Sequence, residues 1–270
     1  MAIHSLCSPT PELACFACCP PLRPPGYDHL DYRSSLTRLL SENRGAFLAG
    51  HRPSRVIQGF WCPGLGFLDP AGRRVGCLLH PAANQGRDLR GPTGYRDKCH
   101  RESCAEARAF DQLAQPPRTR LMELCAAMDS FVFSSRRANP VMRLLALGPA
   151  TAAAAAELPG LSLAELTAWP WLSRVDPALG WLIGRLVAET GPELLRRPEL
   201  HGDLQRLVHR LRRALGPRPP LDQGQPLHQV MADQWQARFW RYVLKRNRAL
   251  AGQTQTWQAA LAAACQHFPA

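Results

Sequence analysis

The sequence predicts a mainly α fold in which a loop-rich cysteine-cluster module at the N-terminus is followed by an irregular helical bundle. Eight of the ten cysteines lie in the first 104 of 270 residues, where Gly and Pro interrupt the chain repeatedly. From about residue 117 the apolar residues recur at helical spacing instead. We therefore predict two domains, a cysteine-rich module over 1–116 and a helical domain over 117–270.

The N-terminal module is predicted to hold short elements between turns. Leu36, Leu39 and Leu40 share one face of a helix predicted over 31–44, with Asp31 as its N-cap. Turn signals break the chain after it, and the segment 64–66 is interpreted as a turn. Short strands are predicted at 58–61 and 74–79 on either side of a turn at 69–72, and a helix is predicted to begin at Cys104 and to run to residue 114.

The helical domain is predicted from apolar periodicity and capping signals. Ser162 and Glu165 form a capping-box pattern ahead of an apolar run, so we expect a helix to begin there. Five consecutive alanines between Pro149 and Pro159 fit either a short helix or a linker. The remaining helices are predicted over 118–133, 177–189, 202–215, 227–250 and 254–267, with a loop over 216–225.

Composition and motifs exclude several classes of protein. No apolar run approaches the roughly 18 residues that a membrane span needs, and the N-terminus lacks the features of a secretion signal. We therefore expect a cytoplasmic protein without a membrane partner. No phosphate-binding loop, dinucleotide-binding fingerprint, zinc-protease motif or serine-hydrolase elbow occurs in the sequence, and no residue is predicted to be catalytic.

The cysteines are spaced as metal ligands are. Cys15 and Cys18 form a C-x-x-C pair, and Cys77 and His80 repeat that spacing, which lets two donors converge on one metal. In a reducing cytoplasm such clustering more often means thiolate ligation than disulfides. Disulfides, thioredoxin-like redox chemistry and plain packing stay as alternatives. The candidate ligands are Cys15, Cys18, Cys19, Cys62, Cys77, His80, Cys99 and Cys104.

The same donors suit zinc and an iron–sulfur cluster. Sites with four cysteines, or with three cysteines and one histidine, hold either metal. The packed cysteines near the N-terminus favour a cluster, whereas the histidine at position 80 favours zinc. One four-coordinate site would use about four of the candidates, so the others form a second site or pack in the core. Cys125 and Cys265 lie on apolar helix faces, where we expect ordinary packing.

The order of these motifs resembles that of a known family. The motifs are C-x-x-C-C at 15–19, C-P-G-L-G-F-L at 62–68, G-C-L-L-H-P at 76–81, R-D-L-R at 87–90, and a cysteine pair at 99 and 104. This order is similar to that of the YkgJ-type cysteine-cluster proteins, over about residues 13–105. Those proteins are described as zinc- or iron-chelating, often with an iron–sulfur oxidoreductase label and no defined reaction. The resemblance implies metal ligation by Cys15, Cys18, Cys19, Cys62, Cys77, Cys99 and Cys104.

The sequence thus predicts a metal-binding cysteine-cluster protein with a structural, carrier or redox role. A second hypothesis is nucleic-acid binding, because residues 201–270 carry ten basic and three acidic side chains and the net charge of the chain is +12. A third is an iron–sulfur oxidoreductase component, and the helical domain is also a candidate surface for a protein partner. The basic residues that recur at helical spacing in two predicted helices are Arg206, Arg210, Arg213, Arg238, Arg241, Lys245 and Arg248.

Overall fold

A computed structural model describes most of the chain and shows a mainly helical protein, which confirms the mainly α part of the predicted fold class. The described residues are 5–17, 19, 28, 30–52, 62–94, 96–97, 99, 104–216, 224–245, 247–250, 252–266 and 268–269. They contain twelve α-helices and four short strands. The chain forms two compact units, Met1–Met142 and Arg143–Ala270. The domain boundary expected near residue 116 reflects a change in sequence character and stays a prediction.

The first unit begins with the helix that was predicted from the leucine spacing. Helix α1 (Tyr32–Leu48) starts after Asp31, whose side chain accepts the backbone N–H of Ser34 at 3.4 Å. The helix continues past the predicted end at residue 44. Its leucines at positions 36, 39 and 40 are buried, so the apolar stripe seen in the sequence is the face that α1 turns to the core.

A two-stranded antiparallel hairpin follows α1, with β1 (Leu65–Phe67) paired to β2 (Val75–Cys77). The second strand and the turn at 69–72 agree with the prediction, and the segment 58–61 lies outside the described residues. The interpretation of 64–66 as a turn is wrong, because Leu65 and Gly66 belong to β1. Gly66 serves close packing: a Cβ there would lie 2.7 Å from Leu78 Cδ1 and 3.2 Å from the carbonyl oxygen of Leu40.

Among the described residues, three more complete helices follow in the first unit and a fourth spans the boundary with the second: α2 (Ala105–Asp111), α3 (Gln115–Leu124), α4 (Ser130–Phe133) and α5 (Pro140–Leu147). Helix α2 begins at Cys104, as predicted. The single helix predicted over 118–133 is wrong, because the chain leaves α3 after Leu124 and restarts at Asp129. The Asp129 carboxylate accepts the backbone N–H of Val132 at 2.8 Å and so caps α4.

The second unit contains seven complete helices among its described residues. The capping box is confirmed, because Ser162 Oγ accepts the backbone N–H of Glu165 at 3.1 Å. The long helix predicted over 227–250 is wrong: Asp233 caps a new helix, and Lys245 ends it in a left-handed conformation. The helices are α6 (Pro149–Glu157), α7 (Leu163–Ala168), α8 (Gly180–Thr190), α9 (Leu200–Ala214), α10 (Leu227–Val230), α11 (Gln234–Leu244) and α12 (Gln253–Cys265).

Short elements join these helices. Strands β3 (Gln225–Pro226) and β4 (Arg248–Ala249) pair antiparallel, and 3-10 turns occupy Pro177–Leu179 and Pro192–Arg196. Helices α8, α9 and α12 agree with the predicted segments to within a few residues at each end. None of the described helices combines the length and the apolar character that crossing a bilayer would require.

The alanine-rich segment forms helix α6, and its small side chains allow α6 to lie against α8. Gly184 faces Ala150 so closely that a Cβ on the glycine would lie 2.6 Å from the alanine Cβ. Thr151 Oγ1 donates a hydrogen bond of 3.0 Å to the carbonyl oxygen of Gly180. A Cβ on Gly180 would lie only 1.6 Å from the carbonyl oxygen of Leu147. Ala150 and Thr151 therefore lie in close contact with α8, and Ala152, Ala154 and Ala155 of the alanine run are buried.

Replacing Gly180 with alanine is expected to destabilise the protein by about 3 kcal/mol, because the added methyl group meets backbone atoms that cannot move aside. Gly202→Ala is the matched control: its Cβ would lie 3.4 Å from the flexible Arg206 side chain. Alanine also favours the helix that contains Gly202, so its unfolding free energy should stay constant or rise by up to about 1 kcal/mol. Urea unfolding followed by circular dichroism measures both, and equal effects would contradict the packing described above.

Candidate metal centre

Four of the predicted ligands meet at one small apolar core in the first unit. The buried residues of this core are Leu36, Leu39, Leu40, Cys62, Leu65, Phe67, Val75 and Leu79. Cys19, Cys77 and Cys99 pack against it. We call Cys19, Cys62, Cys77 and Cys99 the thiol cluster. Its members come from four separate stretches of the chain, so tertiary folding brings them to the same core.

The hairpin positions two members of the thiol cluster. Cys77 is the last residue of β2 and pairs with Leu65 at the start of β1. The carbonyl oxygen of Cys62 accepts the backbone N–H of Leu65 at 3.0 Å, so Cys62 lies just before the same end of the hairpin. Asn43 of α1 secures this end, since its side-chain amide donates to the Leu65 carbonyl oxygen at 2.8 Å.

Two further stretches of the chain carry the other two members: Cys19 lies at a bend and Cys99 in a helical segment. The backbone N–H of Cys19 donates to the carbonyl oxygen of Phe16 at 3.0 Å, and the N–H of Phe16 donates to Ser134 Oγ at 3.0 Å. The Phe16 ring also meets the Phe131 ring edge-on, with 5.6 Å between centroids. Cys99 follows a loop that a hydrogen bond of 3.1 Å, from the Leu89 N–H to the Leu79 carbonyl oxygen, ties to the hairpin.

Charges on Cys62 and Cys99 act on the Cys77 thiol. Burial raises the pKa of Cys77 to about 12, the backbone N–H of Leu79 opposes this rise, and negative charge on Cys62 and on Cys99 raises the pKa further. Among the described residues, however, no three His, Cys, Asp or Glu side chains form a ready metal-binding group. Charge coupling reaches further than a zinc–sulfur bond of about 2.3 Å, so the thiols are neighbours without forming a closed ligand shell.

The donor chemistry of the thiol cluster fits either metal that the sequence suggests. Thiolate is the donor type that a structural zinc ion and an iron–sulfur cluster use, but the described residues bring no three such donors into a ready site. Burial keeps the Cys77 thiol protonated in the metal-free protein. Both metals bind thiolates, so a metal at this position would displace that proton. Cys18, next to Cys19 in the chain, lies outside the described residues.

Sequence reasoning missed an arginine beside the thiol cluster. Arg90 Nε and Nη2 donate to the two carboxylate oxygens of Asp88, at 2.9 and 3.0 Å. Hydrogen bonding to Arg90 lowers the pKa of Asp88 to about 2. The Arg90 charge lowers the pKa of Cys77 in turn, so Arg90 lies within electrostatic reach of the cluster. The only signal in the sequence was the R-D-L-R run at 87–90, which carries no chemistry by itself.

His80 has a structural role in this arrangement. It lies at the N-cap of a 3-10 turn (Pro81–Ala83), and its Nδ1 accepts the backbone N–H of Ala82 at 3.2 Å. Accepting at Nδ1 places the ring proton of a neutral imidazole on Nε2. Burial, and then the charge of Arg90, lowers the pKa of His80 and keeps the ring neutral. Metal binding through Nε2 would therefore require the capping hydrogen bond to break.

Cys15 and Cys104 also make local hydrogen bonds to the backbone. Cys15 is buried and its Sγ accepts the N–H of Ala17 at 3.5 Å. Cys104 Sγ accepts the N–H of Ala107 at 3.4 Å and so caps helix α2. Arg136 also hydrogen-bonds Cys104, and its guanidinium forms an ion pair of 2.5 Å with the buried carboxylate of Glu106. These contacts give Cys104 a role in the start of α2, while its ligation of metal stays a prediction.

Three arginines of the second unit donate to carbonyl oxygens at helix ends. Arg212 on α9 donates to the carbonyl oxygens of Val243 at 3.0 Å and Tyr242 at 2.9 Å, at the C-terminus of α11. Arg210 and Arg238 donate likewise to the last turns of α12 and α5, each at 3.5 Å. Helix C-termini expose unpaired carbonyls and a partial negative charge, which cations stabilise.

This use of arginine bears on the predicted partners. Arg206 forms an ion pair with Asp203, and Arg248 donates to the Gly224 carbonyl oxygen at 2.8 Å. Among the described residues, Arg213, Arg241 and Lys245 are exposed basic groups of the predicted stripes that form no ion pair. A nucleic-acid surface would depend on these three side chains. Nucleic-acid binding and a protein partner for the helical region both stay predictions.

No family model, curated protein or solved structure matches this chain. The resemblance to the YkgJ-type cysteine-cluster proteins stays a prediction that rests on the motif order alone.

Cys125 gives a test of thiol burial that is independent of metal. Its side chain is completely buried, as predicted, and burial raises its pKa from 9.0 to about 12. The reactive thiolate of Cys125 is therefore scarce in the folded protein at pH 8. The stability that the buried neutral thiol contributes is present below pH 9 and is lost as the pH rises towards 12. Iodoacetamide at pH 8 should alkylate Cys125 much more slowly than the half-exposed Cys7, and unfolding in urea should remove the difference. Peptide mass mapping measures both rates, and equal rates in the folded protein would contradict the burial of Cys125.

Proposed function

We propose that the first unit is a metal-binding module in which Cys19, Cys62, Cys77 and Cys99 hold one zinc ion or one iron–sulfur cluster. The observation that supports this proposal is that Cys62 is buried in one small apolar core and that Cys19, Cys77 and Cys99, from other stretches of the chain, pack against the same core. Random burial of cysteine rarely gathers four thiols, whereas a tetrahedral thiolate site requires it. A reducing compartment such as the cytoplasm would keep these thiols available for metal.

The role we propose for the metal is structural or that of a carried ion. Cys19 and Cys99 lie on separate stretches of the chain outside the hairpin, and ordering such stretches costs conformational entropy. A metal shared by all four thiols would link these segments to α1 and to the hairpin and so offset that cost. Zinc would supply only this link, whereas an iron–sulfur cluster would also accept an electron.

Substitution of the cluster thiols should remove the metal. The full-length protein, purified without oxygen, is expected to contain about one zinc ion or two to four iron ions per chain. Serine in place of Cys62, Cys77 or Cys99 should reduce the metal content several-fold, because a serine hydroxyl is a poor ligand for either metal. Elemental analysis of each purified variant measures this directly.

Cys104→Ser is the matched control. Its hydroxyl can still accept the N–H of Ala107 and cap α2, so the fold is retained while one predicted ligand is lost. We expect this variant to keep its metal. A loss equal to that of Cys77→Ser would show that the ligand set differs from the one proposed. Less than about 0.2 metal ions per chain in the unmodified protein would refute the metal centre itself.

An absorption spectrum distinguishes the two metals. An iron–sulfur cluster gives a broad band near about 400 nm that dithionite bleaches. A colourless protein with stoichiometric zinc would exclude electron transfer at this centre and support the structural role.

A further inference from the structure

We propose that the second unit binds the phosphate backbone of nucleic acid through a basic surface formed by Arg213, Arg241 and Lys245. The three side chains are exposed and form no ion pair within the described part of the chain. A surface that carries positive charge alone attracts polyanions, and nucleic acid is a polyanion with a charge on every nucleotide. The basic surface lies in Arg143–Ala270, so it is independent of the metal centre proposed within Met1–Met142.

The C-termini of α9 and α11 lie side by side, and this contact gathers the charges of the basic surface. Arg212, in the last turn of α9, donates to the carbonyl oxygen of Tyr242 at 2.9 Å. Arg212 Cζ lies 5.2 Å from the centroid of the Tyr242 ring, and Lys245 Nζ lies 4.5 Å from the same centroid. Arg213 follows Arg212 in α9, and the carbonyl oxygen of Arg241 accepts the backbone N–H of Lys245 at 2.9 Å. Two helices therefore bring their cations to one place.

The backbone of Lys245 indicates that its side chain serves more than the end of a helix. Lys245 caps α11 with φ 55° and ψ 37°, a left-handed conformation that glycine adopts far more easily than lysine. Its side chain is exposed, so burial in a core does not offset the cost of this conformation. Arg241, one helical turn earlier, adds a like charge beside it. A strained, charged and exposed position of this kind is typical of a binding site.

The distribution of apolar side chains favours nucleic acid over an anionic membrane. A protein that binds to a membrane surface inserts large exposed apolar residues beside its basic residues. The large apolar side chains that are exposed among the described residues all lie in the first unit, namely Leu30, Tyr32, Leu48 and Val132. Residues 234–270 contain no Asp or Glu that would repel a phosphate. The basic surface is therefore suited to a polyanion that is bound in water by charge.

The test is binding of a fluorescein-labelled single strand of about twenty thymidines to the full-length protein, followed by fluorescence anisotropy. Three phosphate contacts predict that the logarithm of the association constant falls with the logarithm of the salt concentration at a slope of about −2.1. The affinity should therefore fall about twentyfold between about 50 and 200 mM salt. A strand of mixed sequence should bind equally well, because phosphates carry no sequence information.

Lys245→Gly is the most informative variant, because glycine suits the left-handed end of α11 and only the charge is lost. The slope should become shallower by about 0.7, and the affinity at low salt should fall several-fold. Arg213→Gln should have the same effect. Arg185→Gln is the matched control: it changes the net charge equally, but Arg185 already pairs with Glu189 at 3.1 Å, so slope and affinity should stay unchanged.

The contradicting outcomes are distinct from one another. An unchanged slope in both Lys245→Gly and Arg213→Gln overturns the basic surface, and so does an equal loss in Arg185→Gln, because net charge alone then explains the binding. No change in anisotropy at about 50 mM salt overturns nucleic-acid binding itself. Sedimentation of the protein with phosphatidylserine vesicles, without binding to DNA, would assign the surface to a membrane and also overturn the proposal. The metal centre is tested separately by its metal content.

Discussion

The close approach of helix α1 to the β1–β2 hairpin determines where the thiols of the first unit can lie. Arg44 on α1 donates to the carbonyl oxygen of Phe67 at 2.9 Å, and Gly66 has no side chain that would hold the helix away. This approach buries the leucines of α1 against both strands and leaves Cys62 and Cys77 at the edge of the same core. The segments that carry Cys19 and Cys99 pack against the same core. A metal bound by all four thiols would link these segments to α1 and the hairpin.

Local sequence signals predicted helix starts better than helix continuity. Asp31, Cys104 and Ser162 each cap the helix that was expected to follow them, because a cap depends on neighbouring backbone groups alone. The helical spacing of apolar residues, in contrast, can continue through a break between two helices when both helices turn their apolar faces to the same core. Asp129 and Asp233 cap new helices inside two stretches that were predicted as continuous, and the apolar pattern gives no sign of them.

The candidate site was predictable in composition but not in arrangement. The clustering of cysteines indicated the candidate donors. Short spacing to a neighbouring cysteine also made His80 and Cys104 candidate ligands, but in the structure both side chains cap helical turns. The four thiols lie on separate stretches of the chain, so only tertiary packing shows that they share a core. Arg90 could not be singled out, because 31 of the 33 basic residues are arginine and nothing local distinguishes it.

X-ray absorption spectroscopy of the metal-loaded, full-length protein tests the central claim most directly, since it counts the atoms bound to the metal and identifies their element. A centre made by Cys19, Cys62, Cys77 and Cys99 predicts a first shell of sulfur alone at about 2.3 Å. A shell that includes a nitrogen at about 2.0 Å would show that an imidazole such as His80 is a ligand, and it would contradict the four-thiol centre.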